Sequence, residues 1–186
     1  MIKKIQGILL MSIIVILAAC GDEEIKPVAI DEATDTCATC NMAVVDNQFA
    51  TQIILKDGKS FIFDDIGCMY EWMESNEDKE VEAEFVRNYD DKEWVLADKA
   101  TYVYNQSVKT PMAYNVISFN DSKEAEKYVA KHKDSTLMTA EELGDHSWER
   151  NHEMMKKMKE MNHGKGSDHS HSEDGEMEDS HSDGDM

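Results

Sequence analysis

The sequence is short of positive charge. Lysine and arginine total 19 against 39 aspartates and glutamates, leaving a formal net charge of −20 over 186 residues. A nucleic-acid ligand needs a basic face to neutralise phosphate, so that class of partner is excluded. The chain also lacks a glycine-rich phosphate loop, a Ser/His/Asp arrangement and a paired-carboxylate constellation. The expectation is therefore a binding protein, not an enzyme. Apolar residues make up 41%, enough for one modest core and too few for two large ones. Cysteine is sparse too, with four residues: Cys20, Cys37, Cys40 and Cys68. What the chain has in excess is methionine, 13 residues, accompanied by seven histidines.

Residues 1–20 hold a short basic region, Lys3 and Lys4, then an apolar run from Ile8 to Leu17 and small residues before Cys20. That is the layout of a secretory signal, too short and wrongly flanked for a stop-transfer helix. The ending Leu17-Ala18-Ala19-Cys20 resembles a bacterial lipobox, which implies a signal peptide over 1–19 and a lipidated Cys20. An ordinary cleaved signal with an incidental cysteine is the alternative. Processing at Cys20 removes both lysines and takes the charge from −20 to −22. The expected location is outside the cytoplasm, anchored to the membrane by acyl chains contributing roughly 0.8 kcal/mol per buried CH₂. Three cysteines then remain, an odd number in an oxidising compartment, so at least one is free, metal-bound or paired with another molecule.

Residues 20–36 read as an acidic spacer, and residues 162–186 contain no Leu, Ile, Val or aromatic side chain and are expected to be disordered. Between them the hydrophobic period alternates. Strand patterns over 49–55 and 60–63 flank Asp57-Gly58, a two-residue hairpin signal. Asp64 or Asp65 caps a helix running to about Ser75, with Met69, Trp72 and Met73 on one face, and residues 84–89 read as the next strand. The order repeats with strands over 100–104 and 114–119, a helix from Asp121 to about Lys131, and a short strand over 136–138. At an offset of 56, Phe63 falls on Phe119, Asp65 on Asp121, Trp72 on Tyr128 and Met73 on Val129. The expected fold is α+β, two tandem ββαβ units over 37–138, with a helix over 139–161 and then the tail.

The chemistry concentrates in Cys37-Ala38-Thr39-Cys40-Asn41-Met42. In an extended segment Cys40 and Met42 share a face, presenting a thiolate beside a thioether. That pair suits a soft monovalent ion, Cu(I) above all, because thioether is a poor ligand for zinc. Three other readings stay open. Cys37 and Cys40 form a structural disulfide, or a thiol–disulfide redox pair, or join Cys68 in a zinc site that is one ligand short.

The run Cys37 to Val44, the hairpin at Lys56-Asp57-Gly58, the Phe63-Asp64-Asp65 turn and Thr110-Pro111-Met112-Ala113-Tyr114 resemble the NosL family, lipoproteins encoded with nitrous oxide reductase. The resemblance covers about 37–138. It implies a tandem ββαβ fold and extracytoplasmic Cu(I) binding. It also implies copper delivery to nitrous oxide reductase through or beside a membrane transporter complex. Carried over by position, the family's Cys-x-Met falls on Cys40 and Met42 and its Pro-Met on Pro111 and Met112, so the implied ligands are Cys40, Met42 and Met112. Cys37 is a weaker candidate, and Cys68 reads as a buried thiol ahead of a ligand. Where the family usually has glycine this chain has Asn41 and Ala113. Asparagine tolerates positive φ and alanine does not, so the loop at 112–114 is expected to differ in shape.

Outside the resemblance, Met154, Met158 and Met161 recur at i, i+4, i+7, a stripe expected to pack on the sheet. The tail adds His163, His169, His171 and His181, weaker metal candidates that could collect copper without fixed geometry. A copper-buffering lipoprotein working through this tail is thus a further alternative, beside the thiol–disulfide one.

Overall fold

The structure, a computed structural model, describes residues 25–163. The lipobox with Cys20, and His169, His171 and His181, lie outside the described residues, as does the side chain of His163.

The first apolar strand pattern forms β1 (Thr51–Leu55), and β2 (Ser60–Phe63) returns beside it. The Leu55 N–H bonds the Lys59 carbonyl, and the Gly58 N–H bonds the Leu55 carbonyl. Gly58 takes φ 85°, so Asp57-Gly58 marks a three-residue hairpin loop with a left-handed last residue, not a two-residue turn. Asp65 then caps α1 (Ile66–Ser75), its carboxylate accepting the Gly67 N–H at 3.3 Å. β3 (Val81–Arg87) begins earlier than the expected 84–89, and an edge strand the sequence did not signal, β4 (Trp94–Leu96), pairs with it. This sheet is antiparallel in the order β2-β1-β3-β4.

The second unit comprises β5 (Thr101–Tyr104), β6 (Val116–Phe119), α2 (Ser122–Lys131) and β7 (Thr136–Met138), with sheet order β6-β5-β7. Both units place their first strand centrally, flanked by their second and third. The offset of 56 maps β2 onto β6 and α1 onto α2 residue for residue. The local determinants repeat as well. Asp121 caps α2 as Asp65 caps α1, and Phe119 packs on Tyr128 at 5.5 Å as Phe63 packs on Trp72 at 6.1 Å. The units differ in one connection. Lys56–Lys59 links β1 to β2, whereas Asn105–Asn115 links β5 to β6 and carries Met112. The sheets are joined where the end of β3 meets β6, by the Tyr89 N–H to the Ser118 carbonyl, 2.8 Å, and the Ser118 hydroxyl to the Arg87 carbonyl, 2.7 Å.

Residues 139–161 are not one helix. Thr139 and Glu142 form a capping box on α3 (Ala140–Gly144), the chain then leaves helical geometry, and α4 (His152–His163) starts after Asn151, whose side chain accepts the Met154 N–H at 3.1 Å. Gly144 and Asp145 are poor helix formers. The stretch they release lays Trp148 on Tyr70 at 4.4 Å and brings Arg150 to the Tyr114 hydroxyl (2.8 Å) and Glu71 (3.0 Å). Burying the indole and pairing the guanidinium against α1 outweighs another helical turn. The methionine stripe does not pack on a sheet. Met154, Met158 and Met161 line a groove of about 1000 Å³ against the Asn105–Asn115 loop, and Met161 is 54% exposed.

Candidate metal centre

Cys37 to Met42 is a tight turn, not an extended segment. The Asn41 N–H bonds the Cys37 carbonyl at 2.9 Å, the Cys37 N–H bonds the Met42 carbonyl at 2.8 Å, and Asn41 sits at φ 59°. Asparagine accepts that left-handed conformation, as expected. Cys40 and Met42 do not share a face as they would in a strand, because a left-handed residue separates them. Cys40 is half-buried and faces inward, while Met42 is 52% exposed.

The turn rests on the junction of β2 and α1. The Ala38 N–H bonds the Ile62 carbonyl at 3.0 Å, and the Thr39 hydroxyl bonds the Cys68 carbonyl at 2.7 Å. Cys40 Sγ lies 3.4 Å from each carboxylate oxygen of Asp64. Cys68 reaches the same spot from the first turn of α1. The donor atoms of Cys37, Cys40, Asp64 and Cys68 all lie within 4.8 Å of one another, and the three cysteines are free thiols. Cys37 and Cys68 are fully buried, and Asp64 is nearly so.

The thiols differ electrostatically. The Cys68 S–H donates to the Cys37 sulfur, and the backbone N–H groups of Cys40 and Asp64 point at it too, drawing Cys37 down to about 6 against the cost of burial. Burial, with the Cys37 sulfur and the Asp64 charge nearby, pushes Cys40 up to about 12. Cys68 is raised because it donates the proton that Cys37 accepts, and because it is buried.

Met112 arrives from the other unit. Asp65, beside the Asp64 that faces Cys40, accepts the Met112 N–H at 2.8 Å and also bonds Thr110. One carboxylate therefore caps α1 and pins the Met112 loop to the turn that carries the thiol cluster. Tyr114 closes the same contact by lying on Gly67, where an added Cβ would fall 2.1 Å from the ring. Ala113 takes φ 59° after all, its N–H on the Thr110 carbonyl and its own carbonyl accepting the Asn151 N–H at 2.8 Å. Alanine thus adopts here the left-handed conformation it ordinarily avoids. The surrounding bonds hold alanine in a conformation that costs about 1 kcal/mol.

The fold thus gathers Cys37, Cys40 and Cys68, and it places Met42 at the surface of the same turn and Met112 on the neighbouring loop. Asp64 escaped the sequence reading as a site residue. No local pattern singles it out, because it precedes the helix cap and meets Cys40 across 24 residues.

Asp65→Asn is expected to loosen this junction. Asparagine keeps one acceptor for the Gly67 N–H but turns a donor toward the Met112 N–H, at a cost of about 1–3 kcal/mol for the unsatisfied buried amide. Burial raises the Asp65 carboxyl from 3.8 to about 6, outweighing the pull of its Thr110, Met112 and Gly67 donors. Its contribution is present in full below about pH 4 and is lost as pH rises through about 6. Urea titrations of both proteins across that window should show the slope in the difference between them.

The observations define a two-unit α+β protein whose first unit carries a sulfur-rich donor cluster at a strand–helix turn, overlooked by a methionine loop from the second. The sequence model of the NosL family matches residues 27–148, about two-thirds of the chain, and this chain belongs to the NosL family. Among solved structures, the crystal structure of the copper chaperone NosL from Shewanella denitrificans matches with a TM-score of 0.53 at 20% identity, covering 61% of this chain and 92% of that one. At that identity the likeness speaks for the shared fold. No curated protein matches the sequence.

Proposed function

We propose that this chain is a copper-binding chaperone that carries Cu(I) outside the cytoplasm, anchored to the membrane through lipidated Cys20, and serves nitrous oxide reductase with its transporter complex. Membership of the NosL family supports the class, as does the fold shared with a protein described as a copper chaperone. The observation that carries the site is the Asp64–Asp65 pair. Asp64 faces the Cys40 thiol while Asp65 holds the Met112 amide, which supports a set of one cysteine sulfur and two thioethers, Cys40 with Met42 and Met112, drawn from adjoining loops. Such a set suits a soft monovalent ion. The exposed Met42 leaves the cargo reachable by an acceptor's own ligands, and transfer is ligand exchange. Among the described residues no helix is long and apolar enough to cross a membrane.

A thiol–disulfide role fits less well. The thiol drawn toward thiolate, Cys37, is fully buried, and the reachable one, Cys40, is held protonated. Tail-based buffering is separated by experiment. The reduced chain ending at Met161 is expected to retain one tight Cu(I) site against a competing chelator. If tight binding departs with residues 162–186, buffering replaces carriage. The client is tested by the copper content of nitrous oxide reductase from cells lacking this chain, expected to fall.

A further inference from the structure

Cys37, Cys68 and Asp64 have no part in the thiolate–thioether set, yet they converge with Cys40. We propose that these four residues form a second, interior site for a thiophilic divalent ion of the zinc class, one that competes with Cu(I) for Cys40. The inference rests on Cys40 being a metal ligand, as the carrier reading does.

Three features of the cluster point this way. The first is number. The cysteines alone are one ligand short of a tetrahedral site, and Asp64 supplies the fourth donor, with all four within 4.8 Å. The second is charge. Three thiolates and a carboxylate, mostly buried, carry four negative charges that a divalent ion offsets better than a monovalent one, and Cu(I) gains little from a carboxylate. The third is the outer layer of hydrogen bonds. The Asn41 N–H fixes the Cys37 carbonyl, and the Thr39 hydroxyl fixes the Cys68 carbonyl. Such bonds orient ligands. Half-buried Cys40 is the route in, so an ion held inside draws the shared thiolate away from Met42 and Met112.

The test uses the reduced full-length chain and Co²⁺ as a spectroscopic stand-in for zinc. The expected result is a tetrahedral cobalt spectrum with thiolate-to-metal charge transfer, displaced by Zn²⁺. Tail histidines and carboxylates give no such charge transfer. Cys68→Ala should lower the charge-transfer intensity and weaken binding by more than the roughly 10–100-fold that losing an outer-layer partner costs. Asp64→Asn should leave the charge transfer while altering the ligand-field bands, and it guards against a Cys68 variant that fails to fold. Met42→Leu should change neither. Zn²⁺ at saturation should slow Cu(I) uptake. An unchanged spectrum in both Cys68→Ala and Asp64→Asn, absence of charge transfer in the parent chain, or its loss in Met42→Leu would each overturn the interior site. Loss of Cu(I) binding with the cobalt site intact would count against the carrier reading alone.

Discussion

Gly67→Ala is expected to be among the most damaging single substitutions in the chain, although alanine is the better helix former. Glycine at 67 is not needed for its backbone. It is needed because the Tyr114 ring lies where a side chain would be, with three ring atoms 2.1–2.4 Å from the position of an added Cβ. The ring has no room to retreat. Tyr114 is 1% exposed, meets Trp148 edge-on at 6.0 Å, and has its hydroxyl held by Arg150. Accommodating the methyl group means lifting the Met112 loop or shifting α1, at a cost of about 3 kcal/mol, the upper part of the range for overpacked cores. Urea denaturation measures the loss, and the Cu(I) affinity of the folded fraction should fall with it, since Tyr114 and Met112 share a loop. The control is a double-mutant cycle. In a Tyr114→Ala background, itself destabilised by about 3–5 kcal/mol, adding Gly67→Ala should cost little. If the two losses simply add, the clash is not what makes Gly67 necessary.

The parts of this fold that were legible in sequence are those determined locally. An aspartate cap followed by an aromatic residue facing the strand before it is a short-range pattern, and it occurs twice at the same offset in α1 and α2. The capping box at Thr139 is a local pattern of the same kind. What was not legible depends on partners far along the chain. Asp64 meets Cys40 across 24 residues and Asp65 meets Met112 across 47, and nothing near either aspartate assigns one to the thiols and the other to the loop. β4 is three residues long and owes its strand state to β3, with no alternation of its own. The helix break after Gly144 is set by Trp148 and Arg150 finding α1, a tertiary gain that the continuous pattern over 139–161 could not reveal. Family resemblance brought Met112 into consideration; the Asp65 bond fixes its backbone beside the helix start that carries Asp64.

Cys40→Ser and Met112→Leu should separate a carrier with a mixed thiolate–thioether site from one that holds its cargo by thiolates alone. Serine removes the one thiol of the set, and a hydroxyl neither ionises near neutral pH nor matches a soft ion. Tight Cu(I) binding should therefore drop by more than about 100-fold, beyond what loss of an outer-layer contact costs. The fold should survive, because Cys40 is only partly buried and serine still donates to Asp64. Met112→Leu is gentler on structure. Met112 is 7% exposed, and a volume-conserving swap there should cost under about 1.5 kcal/mol while leaving the backbone bond to Asp65 in place. If Met112 is a ligand, affinity should fall by roughly 10–100-fold with little change in stability. Chelator competition on the reduced proteins reads both. An unchanged affinity in Met112→Leu beside a lost site in Cys40→Ser would place the cargo among Cys37, Cys40 and Cys68 and remove the second unit from the mechanism. Because Cys40 belongs to both donor sets, its loss alone cannot distinguish them, and the decisive comparison is Met112→Leu against Cys68→Ala.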